Sequence, residues 1–327
     1  MTVSVHHAQI ARVLRAVGIV DDATVTLSGR PLAVDALRAG AGGPAQPPLV
    51  KALTQLIYTE LYLRRHPARP GLSDRGLLAA LCDANRTVVG WDAGWELVAI
   101  QGDTHVVMKD GVRVHATTDD LASASGTPRA VGERVHLRIG KDRRAYSPGY
   151  YYVHGDALED GDAWPTQLVR VYFHLELAGA TPFVDAVTTV LNDAAIPFRA
   201  KVASSAMGFC RADAGVLYLG QARYLKNLAA LAAVAARLRP HLRPETPLFT
   251  KRVAAGIAVA EDPGNGESFG EHRSRALATA LAQAHASSTT SRDERLALAL
   301  AELRANGIDA DRPYLNAGHA DPYDAWS

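Results

Sequence analysis

Cysteine is nearly absent from this chain of 327 residues: Cys82 and Cys210 stand far apart, outside any Cys-x-x-Cys pair or His-paired metal spacing. That excludes a disulfide framework, makes a metal site unexpected, and points to a reducing compartment. No apolar run reaches bilayer-spanning length, and the N-terminus has neither a signal-peptide core nor a lipidation motif. A membrane is therefore not an expected partner, and the expected location is cytoplasmic. Net charge is only +1 with no basic stripe, which argues against nucleic acid. Nucleotide loops are missing as well. Gly264-Asn265-Gly266 followed by Gly270 misses the G-x-G-x-x-G spacing by one residue and follows acidic Glu261-Asp262-Pro263. No P-loop and no G-x-S-x-G elbow is present, so no cofactor is expected. What remains has ordinary globular composition, 48% hydrophobic and 21% charged, and is long enough for two or three lobes.

Lysine is also scarce. Only six of the 35 basic residues are Lys, at positions 51, 109, 141, 201, 226 and 251. A chain that uses Arg as its routine cation has little need of Lys for solubility. Lys201, in the run Ile196-Pro197-Phe198-Arg199-Ala200-Lys201-Val202, therefore invites a chemical reading. A crowded or desolvated lysine can lose its proton and act as a base, whereas arginine cannot. Taken alone, the residue reads by default as a strand-edge lysine with its head in water.

Its neighbours add weight. Residues 168–177 alternate with period two, the pattern of a strand with one face in the core. Val171, Phe173, Leu175 and Leu177 share one face; Arg170, Tyr172, His174 and Glu176 share the other, a set suited to an anion and a proton. Thr181 as N-cap and Pro182 at the first helical position then start an amphipathic helix carrying Phe183, Val184, Val187 and Leu191. The resulting strand–helix–strand unit is expected to bring His174 and Lys201 together across neighbouring strands. A third strand, 214–219, leads into a long Ala/Leu-rich helix over 221–238.

Near the C-terminus, Ser268-Phe269-Gly270-Glu271 has capping-box spacing and should open a helix. Arg273 falls on the apolar stripe of that helix with Leu277, Ala280 and Leu281. A buried Arg needs a partner, either a structural carboxylate or a ligand anion. Arg211, Arg252, Arg273 and Arg275 recur in this half and together suggest a phosphate or carboxylate site.

The front of the chain reads differently. Ile10, Val13, Leu14 and Val17 mark one amphipathic helix, and Leu53, Leu56, Ile57 and Leu61 another, separated by the Gly/Pro-rich breaker 39–48. Leu72-Ser73-Asp74 opens a short third helix up to about Ala84. Short strands follow from Trp95, with a hairpin at Lys109-Asp110-Gly111 and alternation over 134–139. The expected fold is α+β: a helical lobe over 1–90, a small β module over 91–145, and a mixed α/β core over 146–327. The front lobes either bind a partner or brace the core.

Several stretches in order carry a family resemblance: Ser147-Pro148-Gly149-Tyr150, the run Arg170 to Leu175, the run Ile196 to Val202, the run Asp213 to Tyr218, the run Thr246 to Lys251, and the run Gly266 to Arg273. Weaker similarity extends to Leu56-Ile57-Tyr58, to residues 90–95 and to Pro313-Tyr314-Leu315-Asn316. Together they resemble the HopA-type effector family, whose members also serve as the lyase component of class V lanthipeptide (RiPP) synthetases. The order His, Lys, then arginines is distantly similar to OspF-type phosphothreonine lyases.

The resemblance implies a lyase that eliminates phosphate from phosphoserine or phosphothreonine of a precursor peptide, leaving dehydroalanine or dehydrobutyrine. By position, Lys201 is the base, His174 the acid, and Arg211 and Arg273 the phosphate clamps. Arg252 and Arg275 add to the phosphate-binding set, with Tyr172, Arg170 and Tyr218 in support. Implied partners are the phosphorylated precursor peptide and a Ser/Thr peptide kinase. β-Elimination needs a base on Cα, charge stabilisation on phosphate and an acid for the leaving oxygen. A non-catalytic effector or scaffold that holds the peptide or kinase is the competing class. Cyclisation by added Cys thiols ranks last, because zinc ligands are missing.

Overall fold

In the computed structural model, the described residues are 4–38, 46–67, 74–123, 126, 130–144, 147–161 and 163–326. The chain forms two compact units, one of residues 1–67, 211–213 and 245–325, the other of residues 68–210, 214–244 and 326–327. These units cut across the expected segments 1–90, 91–145 and 146–327. The reason is that the N-terminal helices bury their apolar stripes on C-terminal ones within the first unit.

The first unit begins with α1 (Val5–Ala16), capped by the Ser4 hydroxyl, which accepts from the N–H groups of His6 and His7. Ile10, Val13 and Leu14 are buried along it as their spacing requires. A meander of β1 (Val17–Asp21), β2 (Thr24–Leu27) and β3 (Arg30–Ala33) follows, then α2 (Val34–Arg38). The sequence pattern does not announce these three strands, because nearly all of their positions are half-exposed or exposed. Of the breaker 39–48, residues 39–45 lie outside the described residues. Next, α3 (Pro48–Leu56) runs directly into a π-helical turn, Ile57–Tyr62.

The second unit starts with α4 (Leu77–Ala84), entered through Gly76; Leu72 and Ser73, read as its start, lie outside the described residues. An antiparallel module comes next: β4 (Gly90–Gln101), β5 (Thr104–Lys109), β6 (Val112–Thr117), β7 (Leu121–Ala122) and β8 (Arg134–Ile139), in the order β6-β5-β4-β8-β7. The Asp110-Gly111 turn has positive φ at both residues, 50° and 78°, as the hairpin signal demands. Trp95, Leu97, Val107, Ala116, Leu121, Val135 and Leu137 form its core.

The second sheet of this unit comprises β9 (Asp142–Arg143), β10 (Tyr150–His154), β11 (Leu168–Phe173), β12 (Arg199–Ala203) and β13 (Gly215–Gly220). Its helices are α5 (Ala180–Asp193), α6 (Gln221–Lys226) and α7 (Leu228–Leu238). The strands run β11-β13-β12-β10-β9. Strand β13 is antiparallel to both β11 and β12, so these two are parallel, joined through α5, with β13 inserted between them. Val169, Val171, Phe173, Leu217, Leu219 and Val202 are buried on the face opposite Arg170 and Lys201. Phe183 of α5 meets Phe173 edge-on at 5.3 Å between centroids.

Two local readings shift. Helix α5 starts at Ala180 from a 3-10 turn, Leu177–Gly179, with no side-chain cap, so Thr181 lies inside it. The expected helix 221–238 breaks at Asn227, whose side-chain amide donates to the Arg223 carbonyl at 2.8 Å.

The chain then returns to the first unit with the hairpin β14 (Lys251–Ala254) and β15 (Ile257–Glu261), followed by α8 (Phe269–Ala286) and α9 (Arg292–Ala305). The Ser268–Glu271 capping box is formed. Gly270 faces the Tyr62 ring too closely to leave room for a Cβ, which fixes how α8 meets the π turn. Arg295 of α9 donates to the carbonyls of Leu14 and Val17, satisfying the end of α1. Among the described residues, no helix is long and apolar enough to cross a membrane.

Candidate active site

Register builds the site. Across the second sheet, Arg170 pairs with Tyr218, Tyr218 with Arg199, and Arg199 with His154. One row along, Tyr172 pairs with Val216, Val216 with Lys201, Lys201 with Tyr152, and Tyr152 with Arg143. Residues directly opposite one another, and those two apart on a strand, share a face. Arg170, Tyr172, Tyr218, Arg199, Lys201, Tyr152 and His154 therefore lie on one face of the sheet.

Three cations gather round the Tyr218 ring: Arg170 at 5.5 Å, Arg199 at 6.0 Å and the Lys201 ammonium at 6.0 Å from its centroid. Lys201 Nζ also stands 4.4 Å from the centroid of Tyr150, and Tyr150 meets Tyr152 edge-on. Cations held over aromatic faces are attracted by the ring quadrupole, and their positive charges add at the space in front of the sheet. The arrangement suits an anion.

His174 is placed differently from the expectation. Strand β11 ends at Phe173, and β13 separates it from β12, so His174 and Lys201 are not on neighbouring strands. Two strand spacings amount to about 10 Å. His174 is buried, and its carbonyl accepts from the N–H of Arg243 at 2.9 Å. Glu176 has left the strand altogether: its N–H donates to the His241 carbonyl and its carboxylate pairs with Arg243 at 3.4 Å. The expected four-residue polar face is thus interrupted after Tyr172 by contacts with the 241–243 segment.

The four expected phosphate arginines belong to the first unit, where their hydrogen bonds are structural. Arg211 grips the Asp213 carboxylate through Nε and a terminal nitrogen and donates to the Tyr58 hydroxyl at 3.0 Å. Arg273 is 1% exposed, donates to the carbonyls of Pro313 and Leu315 at 3.0 and 3.1 Å, and lies 4.3 Å over the Phe269 ring. Neither a carboxylate nor a ligand anion is needed to satisfy those two bonds. Its remaining arm donates to His272 Nδ1 at 2.8 Å, and burial, with the Arg273 charge, pushes the His272 pKa down to about 4. Arg275 makes a two-pronged pair with Glu267, 2.9 and 2.8 Å. Arg252 is exposed and donates to the Ala254 carbonyl.

Residues that sequence reasoning passed over complete the second unit's face. Arg199 stacks on Trp164, its guanidinium carbon 4.0 Å from the ring centroid; the signal for it was the two-residue spacing to Lys201. Trp164 Nε1 donates to buried Asp92 at 3.3 Å, and Asp92 also receives Trp95 Nε1 at 3.0 Å and Lys109 Nζ at 2.9 Å. Burial alone would raise the Asp92 pKa, but the Lys109 charge and hydrogen bond, with His154 and Arg143, hold it below the usual range. His154, buried beside this group, donates from Nδ1 to the Trp91 carbonyl at 3.2 Å; burial first, and the charges of Arg199 and Arg143, push its pKa down to about 4. No short-range pattern joins Asp92 and Lys109 to this face. Among the described residues, no group of three His, Cys, Asp or Glu side chains is placed to hold a metal ion.

A model of the HopA1 effector protein family matches residues 141–315, which is 175 of the 327 residues. Two solved structures are similar. The effector protein from Pseudomonas syringae pv. tomato strain DC3000 is 19% identical, with 87% of this chain and 94% of that chain covered and a TM-score of 0.46. The effector protein from Pseudomonas syringae pv. syringae strain 61 is 15% identical, with 95% and 97% covered and a TM-score of 0.49. Among curated proteins, none matches.

Proposed function

The chain belongs to the HopA1 effector protein family, and from that premise we propose that it is a lyase eliminating phosphate from phosphoserine or phosphothreonine of a peptide. Lys201 takes the α-proton; the Cα electron pair forms the Cα=Cβ bond as the Cβ–O bond breaks. His174 protonates the departing phosphate, and the peptide is left with dehydroalanine or dehydrobutyrine. Proton and electrons balance with one base and one acid. The substrate is a phosphorylated precursor peptide of the lanthipeptide kind, so a Ser/Thr peptide kinase must act first.

One observation carries this reading: Arg170, Arg199 and Lys201 surround Tyr218 on one sheet face. Phosphate brings a dianion to that face, and a lysine among other cations is the kind that gives up its proton more readily. Arginine forks suit the tetrahedral oxyanion. Arg211 and Arg273, the clamps by position, also donate to Asp213 and to two backbone carbonyls.

The test is mass spectrometry of a phosphorylated Ser/Thr peptide incubated with wild type and with Lys201→Ala, both checked for folding by circular dichroism. Loss of phosphoric acid with the wild type alone supports the lyase. Intact phosphopeptide with the wild type, despite binding, overturns it and leaves a peptide-holding scaffold.

A further inference from the structure

Arg199 is held on the sheet face by two aromatic rings, those of Trp164 and Tyr218. It precedes Lys201 by two residues on β12 and stands opposite Tyr218. Its guanidinium lies 4.0 Å from the Trp164 ring centroid. Stacking engages the flat face of a guanidinium and leaves its N–H donors in the plane, the geometry that takes two oxygens of one oxyanion at once.

Trp164 sits in the connection between β10 and β11, outside any regular element, and so needs an anchor. Asp92 supplies it by accepting from the indole N–H. Asp92 is itself only 3% exposed and is held by Trp95 and by Lys109, whose ammonium also donates to the Ala93 carbonyl at 2.6 Å. The chain of contacts runs from a buried ion pair, through an indole, to a guanidinium plane beside Lys201. Besides the larger effect of burial, the Arg199 charge lowers the pKa of both Lys109 and His154, so its field reaches well into this face.

Resting on the reading of this face as a phosphopeptide site, we infer that Arg199 binds the substrate phosphate and that Trp164, anchored by Asp92, is the positioning residue that sets its plane. Arg199 touches the leaving group; Trp164 and Asp92 act only through it. A phosphate held there lies on the same strand face as Lys201, which orients the phosphoresidue towards the base.

Trp164 also provides the assay, because an anion captured by the stacked guanidinium changes the indole's surroundings. The full chain is titrated with inorganic phosphate and with a phosphoserine peptide while tryptophan emission is followed, using wild type, Trp164→Phe, Arg199→Gln and Arg199→Lys. Turnover is blocked for the peptide arm by Lys201→Ala in each background. An emission change is expected in wild type, with no such change in Trp164→Phe. Phosphopeptide affinity, read by calorimetry, is expected to fall about tenfold or more in Arg199→Gln, with only partial recovery in Arg199→Lys, which keeps the charge but not the fork. Trp164→Phe is expected to raise KM while leaving the thermal midpoint near wild type. Should Arg199→Gln fail to fold, the Lys variant still decides, since wild-type affinity there overturns the inference. Equal affinity in wild type and Arg199→Gln overturns it as well, whether or not the protein is a lyase. If Arg199-dependent binding holds but the wild type eliminates nothing, the elimination reading falls and the phosphate site stands.

Discussion

Acid should destabilise this protein well before its carboxylates titrate, and His154 is the clearest reason. The side chain is buried, and its Nδ1–H bonds to the Trp91 carbonyl. Burial, with Arg199 and Arg143 nearby, holds its pKa at about 4 against an ordinary value of 6.5. The folded state thus binds fewer protons than the unfolded state between those two values, so stability rises with pH across the window. The contribution is fully present above pH 6.5 and is lost as pH falls through 4. Integrating one site from pH 7 to pH 5 gives a loss of about 2 kcal/mol. Urea unfolding of wild type and His154→Asn at both pH values measures it, because Asn keeps a neutral donor near the Nδ1 position and carries no titration. The wild type should lose about 2 kcal/mol more than the variant on acidification. Equal losses in the two proteins would refute the argument, for they would mean that the imidazole is already protonated or solvated when folded.

The remaining predictions separate structural arginines from catalytic ones and test one close contact. Arg273→Met should lower stability by about 3 kcal/mol by stranding the Pro313 and Leu315 carbonyls, and Arg211→Met by a similar amount by leaving buried Asp213 without its bidentate partner. Thermal melts check both; a raised KM with an unchanged melt would instead make them clamps. Gly270→Ala places a methyl group against the Tyr62 ring and should cost about 1–3 kcal/mol, read as a lower urea midpoint.

Local chemistry was legible where it acts locally. The Ser268–Glu271 box and the Asp110-Gly111 turn are written in adjacent residues, and both formed. The alternation over 168–173 gave the polar face of β11 up to Tyr172, and Lys201 sits on that face. It failed beyond Phe173 because the chain there answers to residues about seventy positions away: Leu175 bridges to Leu242, and the Glu176 N–H goes to His241. The insertion of β13 between β11 and β12 has no local signature either, since strand order is a property of the whole sheet. The arginine assignments rested on spacing, which does not reveal acceptors. Glu267 lies eight residues before Arg275, and the carbonyls that hold Arg273 come from forty residues further along. Only the Arg211–Asp213 pair was close enough in sequence to have been suspected.

Three of the six lysines make specific contacts with oxygen acceptors. Lys109 donates to Asp92 and the Ala93 carbonyl. Lys141 donates to the carbonyls of Cys82 and Asn85 at the end of α4, where a compact cation suits the helix terminus. Lys251 pairs with Asp321 at 2.6 Å. Each of the three is a point charge aimed at a small oxygen target, a task for which the broad guanidinium fork is less suited. Lys201 has its ammonium set against the faces of Tyr150 and Tyr218, with Arg170 and Arg199 about the Tyr218 ring. The rings favour the ammonium form and the neighbouring arginines oppose it, so the phosphopeptide assay with Lys201→Ala is what tests the proposed role of Lys201 as base.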